Sequence, residues 1–208
     1  MTGIEFLLFW VGWCLAGGSP GPATLSIAGT AMARGRSFGL AMSLGILVGS
    51  ATWGLAAALG VSALMMAHAW VFEVIRYVGA AYLLFLAFKA MRSALKSGDA
   101  GAERAISGSH WAVFVKGTLI HLTNPKAILS WGAVYTLVAL PGATTADLLI
   151  IFAYLYAGSI LVFVGYAFLF SSPPMVAAYR NARRWFEGTF ALFFGAASLR
   201  IFTVRLAE

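Results

Sequence analysis

Apolar, charge-poor stretches occupy residues 4–33, 38–72, 74–88, 111–141, 146–170 and 186–204, with short polar connections between them. A helix crosses a hydrocarbon core of about 30 Å at 1.5 Å per residue, so about 20 largely apolar residues suffice for one span. The pattern predicts an all-α polytopic membrane protein with six transmembrane helices. Nothing remains for a second soluble domain, and residues 1–208 read as one transmembrane domain.

A weak internal repeat runs at an offset of 105 residues, aligning Phe9 with Phe114, Gly12 with Gly117 and Pro20 with Pro125. Both segments are long apolar stretches interrupted near the middle by a polar cluster containing proline. The first cluster is Gly18-Ser19-Pro20-Gly21-Pro22 and the second is Thr123-Asn124-Pro125-Lys126. Each opens a group of three spans, about 1–95 and about 110–208. Three is odd, so the second group enters the membrane from the opposite side. Two inverted three-helix repeats with broken first and fourth helices are a transporter pattern, with substrate held where the breaks meet. The plainer alternative is two unrelated kinks.

Small residues crowd the spans, including Gly39, Gly45, Gly49 and Gly54 in the second, with Gly45 and Gly49 at GxxxG spacing. Helices in lipid associate through close backbone approach at such positions, which predicts a tight bundle and says nothing of function. Trp70, Trp111 and Trp185 fall near span ends, where indoles anchor at the interface. Trp53 and Trp131 lie deeper and are instead candidates to line a cavity.

Composition agrees with a lipid surroundings: 61% of residues are hydrophobic and 10% charged, against roughly a quarter charged in soluble domains. The net charge of +7 could suggest nucleic acid, but its placement argues otherwise. Arg34 and Arg36 lie between spans one and two. Lys89, Arg92, Lys96 and Arg104 lie around the connection between spans three and four, and Arg180, Arg183 and Arg184 between spans five and six. Lys and Arg gather in cytoplasmic loops, so both termini are expected outside. The start, Met1 to Glu5, lacks the positive region of a cleavable signal, and the first span is expected to be retained. One cysteine, Cys14, excludes a CxxC pair, and His68, His110 and His121 are too scattered for a metal ligand set. No catalytic constellation, metal site or cofactor motif appears.

The chemistry therefore concentrates at the two breaks. Proline removes a backbone donor and clashes with the preceding turn. Irregular backbone at membrane depth survives only inside protein or facing water. Ser19, Pro20, Gly21 and Pro22 thus mark an enclosed turn, with Ser19, Thr24 and Ser26 hydroxyls placed to satisfy freed groups or meet a substrate. Lys126 is the sharper signal. It lies about 15 residues from either end of its span, too deep to snorkel, and charges at such depth face a bundle interior or a wet cavity. Lys126 can pair with a substrate carboxylate, or it can neutralise helix-end carbonyls at the break. Asn124 offers donors and an acceptor beside Pro125. His121, one turn earlier, is either a proton carrier or a packed polar residue. No Asp or Glu sits in mid-span.

Pro20-Gly21-Pro22, Arg36 through Gly39-Leu40, Gly45 with Gly49, Gly79-Ala80-Ala81-Tyr82-Leu83-Leu84, Gly117 followed by Asn124-Pro125-Lys126, and Gly195 with Leu199-Arg200 together resemble the LysE/RhtB family of amino-acid exporters. The resemblance covers nearly the whole chain in order. It implies a six-helix, multi-pass exporter of amino acids or close analogues in the bacterial inner membrane, driven by the proton-motive force and not an enzyme. Its partners would be a small-molecule substrate and the lipid bilayer, with no nucleic acid; a homo-oligomer is compatible. Pro20, Gly21, Pro22, Asn124, Pro125 and Lys126 are the positions carried over. The chain departs from the family pattern at Ala127-Ile128-Leu129-Ser130-Trp131-Gly132, at His121 and at Ala87, which bears on the substrate rather than the fold. The alternatives are a related carrier of metal ions or other small solutes, and a membrane enzyme or assembly factor without a transport role.

The topology is checked by reporter fusions in the 92–110 loop, which are expected to report a cytoplasmic position; an external signal there reverses the orientation.

Overall fold

A computed structural model describes residues 3–67, 108–138 and 143–174, together with single residues between 77 and 95 and between 177 and 199. Among the described residues there are six α-helices and no strand: α1 (Gly3–Gly18), α2 (Pro22–Arg34), α3 (Arg36–Ala67), α4 (His110–Leu122), α5 (Pro125–Val138) and α6 (Thr145–Leu169). The expected spans at 74–88 and 186–204 fall largely outside them.

The first and fourth apolar stretches are both divided, as their proline clusters predict. α1 and α2 hold 16 and 13 residues, and α4 and α5 hold 13 and 14. At 1.5 Å per residue each piece measures roughly 20–24 Å, too short to cross a bilayer alone. Two stretches, Arg36–Gly60 within α3 and Thr145–Leu169, run for 25 residues each and are long and apolar enough to cross unbroken. Leu44, Val48, Leu55 and Leu59 on α3, and Ile150, Leu161 and Phe168 on α6, are large and exposed. Such a display of apolar surface suits lipid.

The core separates into two main clusters. One joins Phe9 and Trp13 of α1, Ala58 late in α3, Trp131, Val134 and Tyr135 of α5, and Leu148 and Leu155 early in α6. The other joins Ala23 and Ile27 of α2, Met42, Ile46 and Leu47 early in α3, Val113 of α4, and Phe163 and Ala167 late in α6. The pair α1–α2 therefore leads from the first cluster to the second, whereas α4–α5 leads back. The two broken helices run in opposite directions, and so do α3 and α6.

At the second cluster's end the chain turns through Gly35, whose φ of 84° is left-handed and suits a residue without a side chain. Here Arg34 Nη2 donates to the Gly108 carbonyl at 2.7 Å, Phe38 stacks on His110, and Arg36 Nε donates to Ser171 Oγ at 3.3 Å. The connections after the first, before the fourth and after the fifth apolar stretches thus meet at one end. The start of α1 lies at the other, where the Tyr154 hydroxyl of α6 donates to the Phe6 carbonyl at 3.3 Å.

α3 packs most extensively on α4 and α6. The glycines expected to permit close approach do so. A Cβ at Gly45 would collide with the Phe114 carbonyl, one at Gly49 would come within 2.8 Å of His121 Cβ, and one at Gly117 within 2.6 Å of the Met42 carbonyl oxygen. Ser43 Oγ, wholly buried, lies 2.8 Å from the Phe163 carbonyl oxygen and joins α3 to α6. Gly45→Ala is expected to separate α3 from α4 and to cost about 1–3 kcal/mol of stability. Leu44→Ala, on the neighbouring exposed face, is expected to cost far less, as read by thermal denaturation in detergent.

Candidate functional site

Both breaks arise from the same local rule. A residue preceding proline is pushed out of the helical region, because the proline ring crowds its backbone. Ser19 and Gly21 precede Pro20 and Pro22, and Asn124 precedes Pro125. α1 accordingly stops at Gly18, Gly21 is fully extended with φ −173° and ψ 177°, and the downstream helices restart at Pro22 and Pro125. Proline suits a first helical position, where its missing N–H would have had no partner.

The freed backbone groups are then satisfied by side chains. At the first break, Ser19 N–H and Ser19 Oγ both donate to the Ala16 carbonyl, at 3.3 and 2.9 Å. The Tyr166 hydroxyl of α6 donates to the Gly18 carbonyl at 2.5 Å. Gly21 N–H donates to Thr24 Oγ1 at 3.0 Å, while the Thr24 hydroxyl proton points towards the Ser19 and Gly21 carbonyls. At the second break, Thr123 N–H and Oγ1 donate to the Leu119 carbonyl, at 3.0 and 2.8 Å. Asn124 N–H donates to the His121 carbonyl at 3.2 Å, and Trp53 Nε1 of α3 donates to the Leu122 carbonyl at 3.2 Å. Asn124 Oδ1 accepts from Lys126 N–H at 3.1 Å and so caps the restarted helix.

Lys126 connects the two breaks. Its Nζ donates to the Ser19 carbonyl at 3.0 Å and also to Ser19 Oγ, across 107 positions of sequence. Gly21 lies against the same side chain: a Cβ there would stand 3.6 Å from Lys126 Cδ and 3.7 Å from Nζ. Around this bridge is a cavity of about 50 Å³, walled by residues of α1, α2, α3, α4, α5 and α6 and of both breaks. At about 10–15 Å³ per water, the space holds a few water molecules in this conformation.

Of the residues singled out from sequence, Ser19, Gly21, Thr24, His121, Asn124, Lys126 and Trp131 line the cavity. Pro20, Pro22 and Pro125 are not among its lining residues; Pro22 and Pro125 are exposed. These two prolines shape the breaks without facing the cavity. His121 is buried in the last turn of α4, edge-on to Phe163, and its Nδ1 has no hydrogen-bond partner among the described residues. Asn124 is buried too.

Of the two wall tryptophans, the depth of Trp131 in its stretch pointed to a cavity wall, whereas sequence reasoning missed Trp13 and the serine partners of both. Trp13 Nε1 donates to Ser159 Oγ at 3.0 Å, and Trp131 Nε1 donates to Ser50 Oγ at 3.1 Å, with the two indole centroids 4.5 Å apart. Each tryptophan belongs to a broken helix and each serine to an unbroken one. The available signal was the isolated serine at mid-depth in otherwise apolar stretches: Ser50, Ser130 and Ser159. Among the described residues no group of three or more His, Cys, Asp or Glu side chains could hold a metal ion.

Residues 17–204 match the LysE type translocator family. The threonine efflux protein of Salmonella typhi is 32% identical over 192 residues, covering 90% of this chain and 92% of that protein. The threonine efflux protein of Escherichia coli (strain K12) is 31% identical over the same extent. A leucine efflux protein of Salmonella choleraesuis is 36% identical over 111 residues, 53% of this chain and 51% of that protein. No solved structure matches the chain. With the match covering nearly its whole length, the chain belongs to the LysE type translocator family.

Proposed function

We propose that this chain is a secondary transporter, not an enzyme, that exports an amino acid or a close analogue from the bacterial cytoplasm across the inner membrane. The carrying observation is the cavity between two broken helices of opposite direction, with the Lys126 ammonium inside it. The similarity to threonine and leucine efflux proteins supports an amino-acid cargo.

The proposed mechanism is alternating access around the Pro20-Gly21-Pro22 and Asn124-Pro125-Lys126 breaks. Substrate carboxylate replaces the Ser19 oxygens as the partner of Lys126, a charge-assisted pairing that an ammonium makes more strongly than a neutral donor. Ser19, Gly21 and Asn124 form the remainder of the carboxylate end, and Pro20, Pro22 and Pro125 hold the breaks open. With no carboxylate in mid-span, His121 is the candidate proton carrier for coupling to the proton-motive force, the alternative being a packed polar residue of the cavity wall.

The domain is assigned as six spans in two inverted repeats, about 1–95 and about 110–208, with both termini outside. The opposed directions of α1–α2 and α4–α5 support this, as does the meeting of Arg34, Arg36 and the 108–110 segment at one end, which the charge rule makes cytoplasmic.

Counterflow in proteoliposomes with labelled amino acids tests the proposal. Solute-specific exchange is expected, and Lys126→Ala is expected to lower it about 10–100-fold while the protein still inserts, the worth of one charged hydrogen bond. Unchanged exchange in Lys126→Ala removes this residue from the site. No exchange with a broad amino-acid panel favours the carrier of other solutes or the non-transport reading.

A further inference from the structure

Ser130 is a cavity residue to which the preceding mechanism gives no task. It stands four positions after Lys126 on α5, a spacing that places two side chains on one helix face, one turn apart. Its Oγ is buried and has no hydrogen-bond partner among the described residues. Serine in a helix commonly returns its hydroxyl to the carbonyl four residues back; Ser43, Thr52, Thr118 and Thr123 in this chain all do so. Ser130 does not.

The other mid-depth serines of the wall are already engaged. Ser50 accepts from Trp131 Nε1 and Ser159 from Trp13 Nε1. Those two bonds hold the indoles, which line the same cavity as Ala127 and Ser130. A buried hydroxyl without a partner carries a desolvation cost that a ligand's polar group removes.

Resting on the export reading above, we infer that Ser130 is a specificity-determining residue that selects a short cargo side chain bearing a hydrogen-bonding group, a hydroxyl above all. Lys126 and Ser130 lie on one face of α5 and line the same cavity, so a cargo held by its carboxylate at Lys126 shares that cavity with the Ser130 hydroxyl. The narrow cavity and its indoles limit length. A side chain of equal shape that ends in methyl leaves the Ser130 hydroxyl unpaired, and sites built to hydrogen-bond a cargo group discriminate strongly against analogues lacking it.

Threonine and valine are near-isosteric and differ by that one group, so they form the test pair. In proteoliposome counterflow, the wild-type protein is expected to exchange threonine about tenfold better than valine, the worth of one neutral hydrogen bond. Ser130→Ala is expected to bring the two within about twofold, chiefly by losing threonine exchange, while valine exchange persists and reports a folded, inserted protein. Ser130→Thr, which keeps the hydroxyl, is expected to retain a preference for the hydroxylated cargo. Equal exchange of threonine and valine by the wild type, or an undiminished preference in Ser130→Ala, overturns the assignment while leaving amino-acid export intact. Failure to exchange any amino acid overturns the export reading itself and this assignment with it.

Discussion

Outside a wet cavity, a backbone carbonyl at membrane depth has no water to turn to, and an unpaired one costs several kcal/mol. That constraint governs this fold. Pro20 and Pro22 in the first apolar stretch and Pro125 in mid-course of the fourth prevent continuous helix, and the donors and acceptors they release away from the cavity need protein partners. The partners come from a distance: Tyr166 of α6 caps Gly18, Trp53 of α3 caps Leu122, and Lys126 of α5 caps Ser19. The breaks are therefore not self-contained turns. Each is completed by residues of other helices, which ties the arrangement of the bundle to the integrity of the breaks.

These caps differ in kind. Tyr166 and Trp53 are aromatic side chains with one donor each, and their rings are packed within the bundle. Lys126 brings an ammonium with three donors on a flexible stem. A neutral carbonyl and hydroxyl are modest partners for a cation, and a carboxylate is a better one. On the proposed mechanism that difference is the driving contact of the cycle: the same residue that closes the first break in the empty protein is the one a cargo carboxylate draws away. The cap and the binding group are then one side chain, and the two readings of Lys126 open at the level of sequence are two states of it.

Much of the fold was legible in the chain because proline and glycine act locally. Ser19, Gly21 and Asn124 leave the helical region for a reason contained in the next residue, so the breaks could be placed within a residue or two. Gly45, Gly49 and Gly117 announce close helix contact, although not which helix each would meet. The cavity wall was less legible. The depth of Trp131 in its stretch pointed to a cavity wall, but nothing marked Trp13, and the Ser159 and Ser50 partners of the two Nε1 groups lie 146 and 81 positions away. The prolines misled in a small way: they are necessary to the site, yet the exposed faces of Pro22 and Pro125 belong outside the cavity. Pairing across such separations depends on how the helices pack, which no local pattern encodes.

The bridge between Lys126 Nζ and the Ser19 carbonyl carries the account, and it can be measured as a distance. With 15N at lysine Nζ and 13C at serine carbonyls, solid-state NMR dipolar recoupling on the substrate-free protein in lipid is expected to show one strong contact at about 4 Å, assigned to Ser19 and lost in Lys126→Ala. A Lys126 Nζ with no serine carbonyl within about twice that distance would mean that the two breaks do not meet through this residue.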